Sequence, residues 1–549
     1  MLSNLRNKRA LSLVATASVS ALLLAGCASG TTDAENETEN GSTDSGSTTE
    51  LSNIIVGTTD KVTALDPAGS YDNGSFLVMN QIYGFLFNSE QGNAEMVPDL
   101  AADGEFISPQ VFQVTLQDGL EFANGNPLTA SDVKFTFDRQ QAIADDNGPS
   151  YLLGNLESTE VVDELTVNFN LTVENDQVFK AVLSSPAAPI VDEDVFAADA
   201  VTSDDDIIAG EAFSGQYVIT SYAFNELVQF SPNATYAGVL GAVANETVAL
   251  KYYTDESNMK LDIQQGNIDV ASRSLSATNI EDLEQDENVN VLTGPGGEIR
   301  YIVFNFNTMP FGAETSEADA EKALAVRQAA AHLVDRDALS EQVYKGSYLP
   351  LYSYVPPGLP GANESLKDAY GATPDADAAA QLLADAGVST PVEINLQWNP
   401  DHYGESSSDE YALVKSQLEQ GDLFSVNLQS TEWVTYIDEA LSDGYPTYQL
   451  GWFPDYSDAE NYLNPFFFEG GFLNNHFNNE EVNQMLTTQV GETDPDARAE
   501  MISDIQDLVA AEVSTLPLLY GAQVAATATG VEGVILDASF KLRFGSIAK

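Results

Sequence analysis

Between Val392 and Leu428 the apolar residues change period twice. Val392, Ile394, Leu396 and Trp398 alternate with polar residues as in a strand with one buried face, Tyr411 to Leu418 follow helical spacing and stop at Gly421, and Phe424 to Leu428 alternate again. Strand, helix, strand in that order predicts a βαβ unit, which layers a helix on a parallel sheet and leaves ligand crevices beyond the strand ends. A further strand, Tyr448 to Trp452, puts Trp452 at such an end.

The same reading extends along the chain. Phe112, Val114 and Leu116 alternate before Asp118-Gly119 and predict one strand of a hairpin closed by that turn. Thr129 and Asp132 make a capping box for a helix through Val133 and Phe137. Ala323, Val326, Ala330, Leu333 and Val334 keep helical spacing, and Thr373-Pro374 and Gly387 bracket another helix around Leu382 and Leu383. Gly294-Pro295-Gly296-Gly297 reads as a turn. With no repeat of 20 to 50 residues, the 549-residue chain is expected to form mixed α/β layers in two to four domains.

Charge removes several functions. Asp plus Glu number 84 against 21 Lys plus Arg, a formal net charge of -63. Such a surface repels nucleic acid and offers no polybasic segment to anionic lipid; its plainest consequence is solubility. One cysteine, Cys27, cannot form an internal disulfide, and His332, His402 and His476 are scattered. A zinc or redox site is therefore not expected, and no cofactor or metal is. Phosphate-binding loop, nucleophile elbow and His-Glu-x-x-His motifs are all missing, so no catalytic residue is singled out and any nucleotide hydrolysis falls to a partner.

Arg6, Lys8 and Arg9 precede an apolar stretch, Ala10 to Leu24, that is too short to span a bilayer and reads as a secretory signal over 1–26. Leu24-Ala25-Gly26-Cys27 resembles the lipobox of bacterial lipoproteins, which implies cleavage before Cys27 and lipidation of its sulfur. Residues 27–50 then form a tether whose Ser, Thr, Gly and Glu cannot repay their ordering entropy. Its flexible-chain span is about 25 to 30 Å.

The segment YQLGWFPDYSDAENYLNPFFF, Tyr448 to Phe468, sets Trp452, Phe453, Tyr456 and Tyr462 among Asp455, Asp458 and Glu460. Aromatic walls with a few carboxylates suit an amphipathic ligand bearing an amine; an aromatic core segment with solvated acids is the plainer alternative. The stretch resembles the GW-x-x-DYPDP-x-NFL signature of family 5 extracellular solute-binding proteins, the peptide-binding receptors of ABC importers. Val97 to Ala101, Phe112 to Arg139, SGQYVIT from Ser214, LDIQQGNIDVA from Leu261, VRQAAAHLVDRDAL from Val326, YVPPGLPG from Tyr354 and STLPLLY from Ser514 resemble further blocks of that family, in order.

The resemblance implies an α/β, two-lobe periplasmic-binding-protein-like fold of the cluster C type with an extra domain inserted in lobe one. Lobe one would comprise 51–90, 206–300 and 506–549, the insert 91–205 and lobe two 301–505. Asp455 would pair with a peptide's free α-amino group, beside Trp452, while backbone at Gly451 and Phe453 hydrogen-bonds its main chain. The loop Tyr71 to Phe76 should face the ligand. Trp398, Asn399 and His402 are weaker candidates, His402 with a surface-loop role as its alternative. Some relatives carry an Arg where this chain has Gln449, so the partner of a ligand carboxylate is open. The expectation is a non-enzymatic, monomeric lipoprotein on the extracellular face of the bacterial cytoplasmic membrane, handing oligopeptides to an ABC permease with its ATPase subunits. An oligosaccharide or other small-solute receptor is the rival within the family; a secreted glycosidase and an adhesin are the rivals outside it.

Overall fold

The strand Val392–Trp398 pairs in parallel with Phe424–Ser430 along its whole length, and the helix Ser407–Leu418 connects them, as the periodicity predicts. This computed structural model describes residues 52–549 apart from Ala94, Ser274, Asp401, Glu405, Ala538 and Phe540. The signal, Cys27 and the tether lie outside the described residues.

The βαβ unit forms one end of a long mixed sheet. From that end the strands run Phe424–Ser430, Val392–Trp398, Thr447–Trp452, Val289–Phe304, Thr515–Ala528, Val270–Ser272, Ser52–Thr58, Asn245–Tyr252, Leu227–Pro232 and Tyr217–Ala223, with Tyr348–Pro350 paired to Thr515–Ala528 as well. Its two middle strands are antiparallel partners from Val289↔Ala528 to Val303↔Thr515. Ile299, Tyr301, Val303, Leu516 and Leu518 pack into one core with Val326, Leu383, Tyr411 and Val509. Beyond the middle of the same strands, Ala525 packs with Ile54, Val56, Val248 and Phe544 in another. Val289 and Ala526 pack in a smaller third core with Met259, Ile268 and Leu283, so both strands run out of the first core, Thr515–Ala528 into the Ile54 core as well.

Gly294-Pro295-Gly296-Gly297 is not the turn its composition predicts; it lies inside the strand Val289–Phe304. Pairing slips there between Gly294↔Gln523 and Glu298↔Gly521, the signature of a bulge. A Cβ at Gly296 would stand 1.8 Å from the carbonyl oxygen of Gly521, so the strands approach too closely for any other residue.

A second sheet, antiparallel in the order Ala101–Ser108, Val111–Leu116, Thr166–Leu171, Leu156–Val161, has its own core. Phe112, Val114 and Leu116 are buried while their neighbours are half exposed, as alternation requires. Their hairpin partner is the upstream strand Ala101–Ser108, not one that follows Asp118-Gly119. The helix Ala130–Ile143 covers this sheet. It begins at a capping box, with Thr129 accepting and Asp132 reaching back, and it buries Val133 and Phe137, whose ring meets Phe169 edge-on at 5.0 Å. Each such side chain contributes about 1.5–3 kcal/mol by burial. On the face away from the sheet, Arg139 crosses to Asp66 beside the Ile54 core: Nη1 and Nη2 donate to its two oxygens at 2.8 Å each, and Nε and Nη2 donate to the carbonyls of Ala197 and Ala200.

The helices Ala320–Leu333 and Ala376–Asp385 occur where spacing and brackets place them, each opened by an Asp side chain that accepts from the first turn. Among the described residues no helix is long and apolar enough to cross a membrane, and no His, Cys, Asp or Glu group could hold a metal ion.

Candidate functional site

The strand Thr447–Trp452 is buried for most of its length and ends where the chain turns out of the sheet as Phe453-Pro454-Asp455. Gly451 lies opposite Arg300 of the neighbouring strand. A Cβ there would come within 2.8 Å of the Tyr403 ring, so glycine lets that ring lie on the strand end. Trp452 turns into the core, against Phe466 and Phe472 at 5.3 and 5.4 Å, and its Nε1 donates to Asn461 Oδ1 at 3.0 Å.

Asn461 also fixes Asp455. Its Oδ1 accepts from the Asp455 backbone N–H at 2.9 Å and its Nδ2 donates to Asp455 Oδ2 at 3.0 Å. The other carboxylate oxygen accepts from the hydroxyl of Tyr71, and Tyr151 donates in turn to the Tyr71 oxygen at 2.6 Å. Tyr71 precedes the helix Asn73–Ile82 by the Ile54 core, Tyr151 belongs to the chain of the second sheet, and Asp455 follows the βαβ unit: three regions meet at one carboxylate. Asp455 is 5% exposed. Burial pushes its carboxyl up to about 6 against the pull of its hydrogen bonds. The same burial, with Asp455 adjacent, holds the Tyr71 phenol well above its usual value, so that it remains a donor.

Next to this seam is a cavity of about 150 Å³ with walls from both cores. Phe76 and Asn80 of the helix Asn73–Ile82 and Arg273 line one side; Arg300, His402 and Phe453 line the other. Of the residues the sequence singles out, Phe76, His402 and Phe453 line the cavity, while Asp455 and Tyr71 meet each other directly after the lining residues Phe453 and Pro454. His402 stacks on Trp433 at 3.7 Å and 6°. Asn399 is fully buried and braces the loop, its Oδ1 accepting from the His402 N–H at 2.6 Å and its own N–H donating to Gln449 Oε1 at 2.9 Å. Trp398 is half-buried against the core of its own sheet end. Gln449, 1% exposed, also donates to Ser407 Oγ at 3.2 Å.

Sequence reasoning did not single out Tyr151, Asn461, Arg273 or Arg300. Arg300 had a local signal, a charge among Ile299, Tyr301 and Ile302 in a strand pattern. Its guanidinium is saturated: Nε donates to Glu298, Nη1 to Tyr344 and Glu410, and Nη2 to Tyr348 and the Tyr403 carbonyl. Arg273 lies across the cavity with its guanidinium 4.6 Å above the Phe453 ring.

Residues 95–474 match the family model described as bacterial extracellular solute-binding proteins, family 5 Middle. The chain belongs to this family. Heme-binding protein A of Haemophilus influenzae is 24% identical over 493 residues, which cover 83% of this chain and 84% of that one. Oligopeptide-binding protein OppA of Bacillus subtilis is 22% identical over 571 aligned positions, 98% of this chain and 99% of the relative. Among solved structures, a periplasmic binding protein of an ABC transporter from Helicobacter pylori, in complex with the peptide STSA, superposes with a TM-score of 0.75 at 18% identity, covering 90% of this chain and 98% of that one. The fold is therefore that of the two-lobe binding proteins of the family. Family 5 proteins bind solutes outside the cytoplasm for ABC importers, and the relatives named here are binding proteins, not enzymes.

Proposed function

We propose that this protein captures oligopeptides and delivers them to an ABC permease, as a lipoprotein held through Cys27 on the extracellular face of the membrane. With the Ile54 core read as one lobe, the Ile299 core as the other and the second sheet as the inserted domain, the observation that carries the peptide reading is Asp455, a carboxylate enclosed where all three meet and hydrogen-bonded among the described residues by neutral donors alone. Enclosing a carboxylate without a cation is unfavourable, and a ligand ammonium at this point supplies the missing charge. The free α-amino group of a peptide has that chemistry. This reading has backbone at Gly451 and Phe453 pair with the main chain of an extended ligand, which makes recognition tolerant of side chains. Because the ligand touches both lobes, it favours the closed arrangement, the one a permease can distinguish from the open one.

The test is to purify the protein gently, weigh it intact by native mass spectrometry, and identify what is released on denaturation. A ladder of peptides is the expected result. A sugar, or an empty protein unmoved by a peptide library in a thermal-shift screen, removes the peptide reading in favour of another small solute. Metabolic labelling with a fatty acid, lost in Cys27→Ala, checks the anchor.

A further inference from the structure

The cavity is lined by two guanidinium groups in opposite states. Arg300, 4% exposed, has all its N–H groups engaged and two carboxylates, Glu298 and Glu410, within reach; it is neutralised before any ligand arrives. Arg273 has, among the described residues, one charged partner and one ring. Its Nε is 2.8 Å from Asp60 Oδ2, yet neither atom has a hydrogen bond of acceptable geometry, and both are buried without one. Its guanidinium carbon lies over the ring of Phe453 of the other lobe, 4.6 Å from the ring centre. Arg273 itself has φ 63°, in the left-handed region that non-glycine residues seldom adopt; such positions cluster at binding sites. On the same wall Asn80 Oδ1 is buried with no donor.

Position and chemistry together give the cleft two poles. Asp455, which does not line the cavity itself but follows the lining residue Pro454 on the second lobe, is the anionic one. Arg273 on the first is a cation whose planar fork is incompletely used, and such a fork binds a carboxylate through two parallel N–H donors. We propose that Arg273 takes the terminal carboxylate of the peptide, displacing Asp60, which holds the place in the ligand-free protein. The assignment rests on the peptide reading above. It makes a zwitterionic ligand a strap between the lobes, one charged end on each, so the two end contacts form together only on closure. Asn80 Oδ1 then accepts a ligand amide N–H close to that end.

The experiment uses the full chain and two tripeptide libraries, one with free carboxylates and one C-terminally amidated, read as the concentration giving a half-maximal rise in melting temperature. For the wild type the amidated library should be weaker by about tenfold or more, the scale of a lost charge-assisted hydrogen-bonded pair. In Arg273→Gln the two libraries should become equivalent, at the amide's level; Arg273→Lys should restore part of the preference. Asp60→Asn, which frees the guanidinium, should bind the free-acid library about threefold more tightly and leave the amide unchanged, a gain that misfolding cannot produce. An amidation penalty that persists in Arg273→Gln, or is absent from the wild type, overturns the assignment while leaving the peptide reading intact. Loss of both libraries in Arg273→Gln with no gain in Asp60→Asn overturns it too. A wild type stabilised by neither library overturns the peptide reading, and this assignment with it.

Discussion

Two arginine–aspartate pairs involve the first lobe, one joining it to the inserted domain at their seam and one lying within it on the wall of the cleft. At the seam, Arg139 and Asp66 are bidentate at 2.8 Å, and each uses its remaining capacity on backbone: Arg139 on two carbonyls, Asp66 on the N–H groups of Ala68 and Thr202. At the cleft, Arg273 and Asp60 are equally close but misaligned, and the cation faces a ring and a cavity. The residue types are the same; the completeness of pairing differs. A buried charge whose every bond is made serves the fold, and removing its partner strands it, whereas one left short of bonds beside a cavity has capacity for something that comes and goes. With only 21 bases in a chain of net charge -63, it is telling that Arg139, Arg300, Arg327, Arg336 and Arg543 are all at least nine-tenths buried. These five guanidinium groups are spent inside, while lysines such as Lys134, Lys345 and Lys367 pair with acids at the surface.

The comparison can be broken most sharply at the seam. Arg139→Ala should lower unfolding stability by about 3–5 kcal/mol in urea denaturation, while Arg273→Gln should move it far less; equal losses would erase the distinction. In binding, Asp455→Asn should reduce peptide affinity by about 2–5 kcal/mol by calorimetry, with the melting temperature of the ligand-free protein kept or raised, because an unpaired carboxylate is gone. Next in size is a pH effect. The ligand ammonium needs Asp455 ionised and burial has raised its carboxyl to about 6, so affinity should fall about tenfold per pH unit below that value and be flat with pH in Asp455→Asn. The contribution of the same group to ligand-free stability has the opposite sign. Its folded value lies above the unfolded one near 3.9, the native state binds the extra proton, and its contribution declines as pH rises from about 4 to 6. Smallest is a surface ion pair, Lys134 with Asp138 one helical turn away, both more than 40% exposed. Lys134→Ala should change stability by less than about 0.5 kcal/mol.

What could be read from sequence follows the range of the interaction that decides it. The helix opened by Thr129 and Asp132, and the strand–helix–strand run from Val392 to Leu428, are decided within a few residues, and both form where expected. Gly294 to Gly297 carry every local mark of a turn, but their conformation is decided by Gly521, more than 200 residues on, whose carbonyl presses where a Cβ would be. The hairpin partner of Phe112 to Leu116 was misplaced for a similar reason, since turn residues occur on both sides of that strand and only pairing chooses between them. The site divides in the same way. Trp452, Phe453, Asp455 and Asn461 fall within ten residues of one another, and all but Asn461 stand out in the sequence. Tyr151 and Arg273 reach the same place from distant parts of the chain and carry no motif of their own.

The strands Val289–Phe304 and Thr515–Ala528 contribute side chains to both lobes, and this limits how the protein can be taken apart. A fragment carrying either lobe alone must cut through two paired strands at mid-length, exposing ladder edges that would pair with other copies in solution. Neither lobe is thus a module that a gene could shed or lend. Insertions into such an architecture are confined to loops that leave those two strands whole, and the second sheet, whose strands fall between Ser52–Thr58 and Tyr217–Ala223 in the sequence, interrupts neither of them.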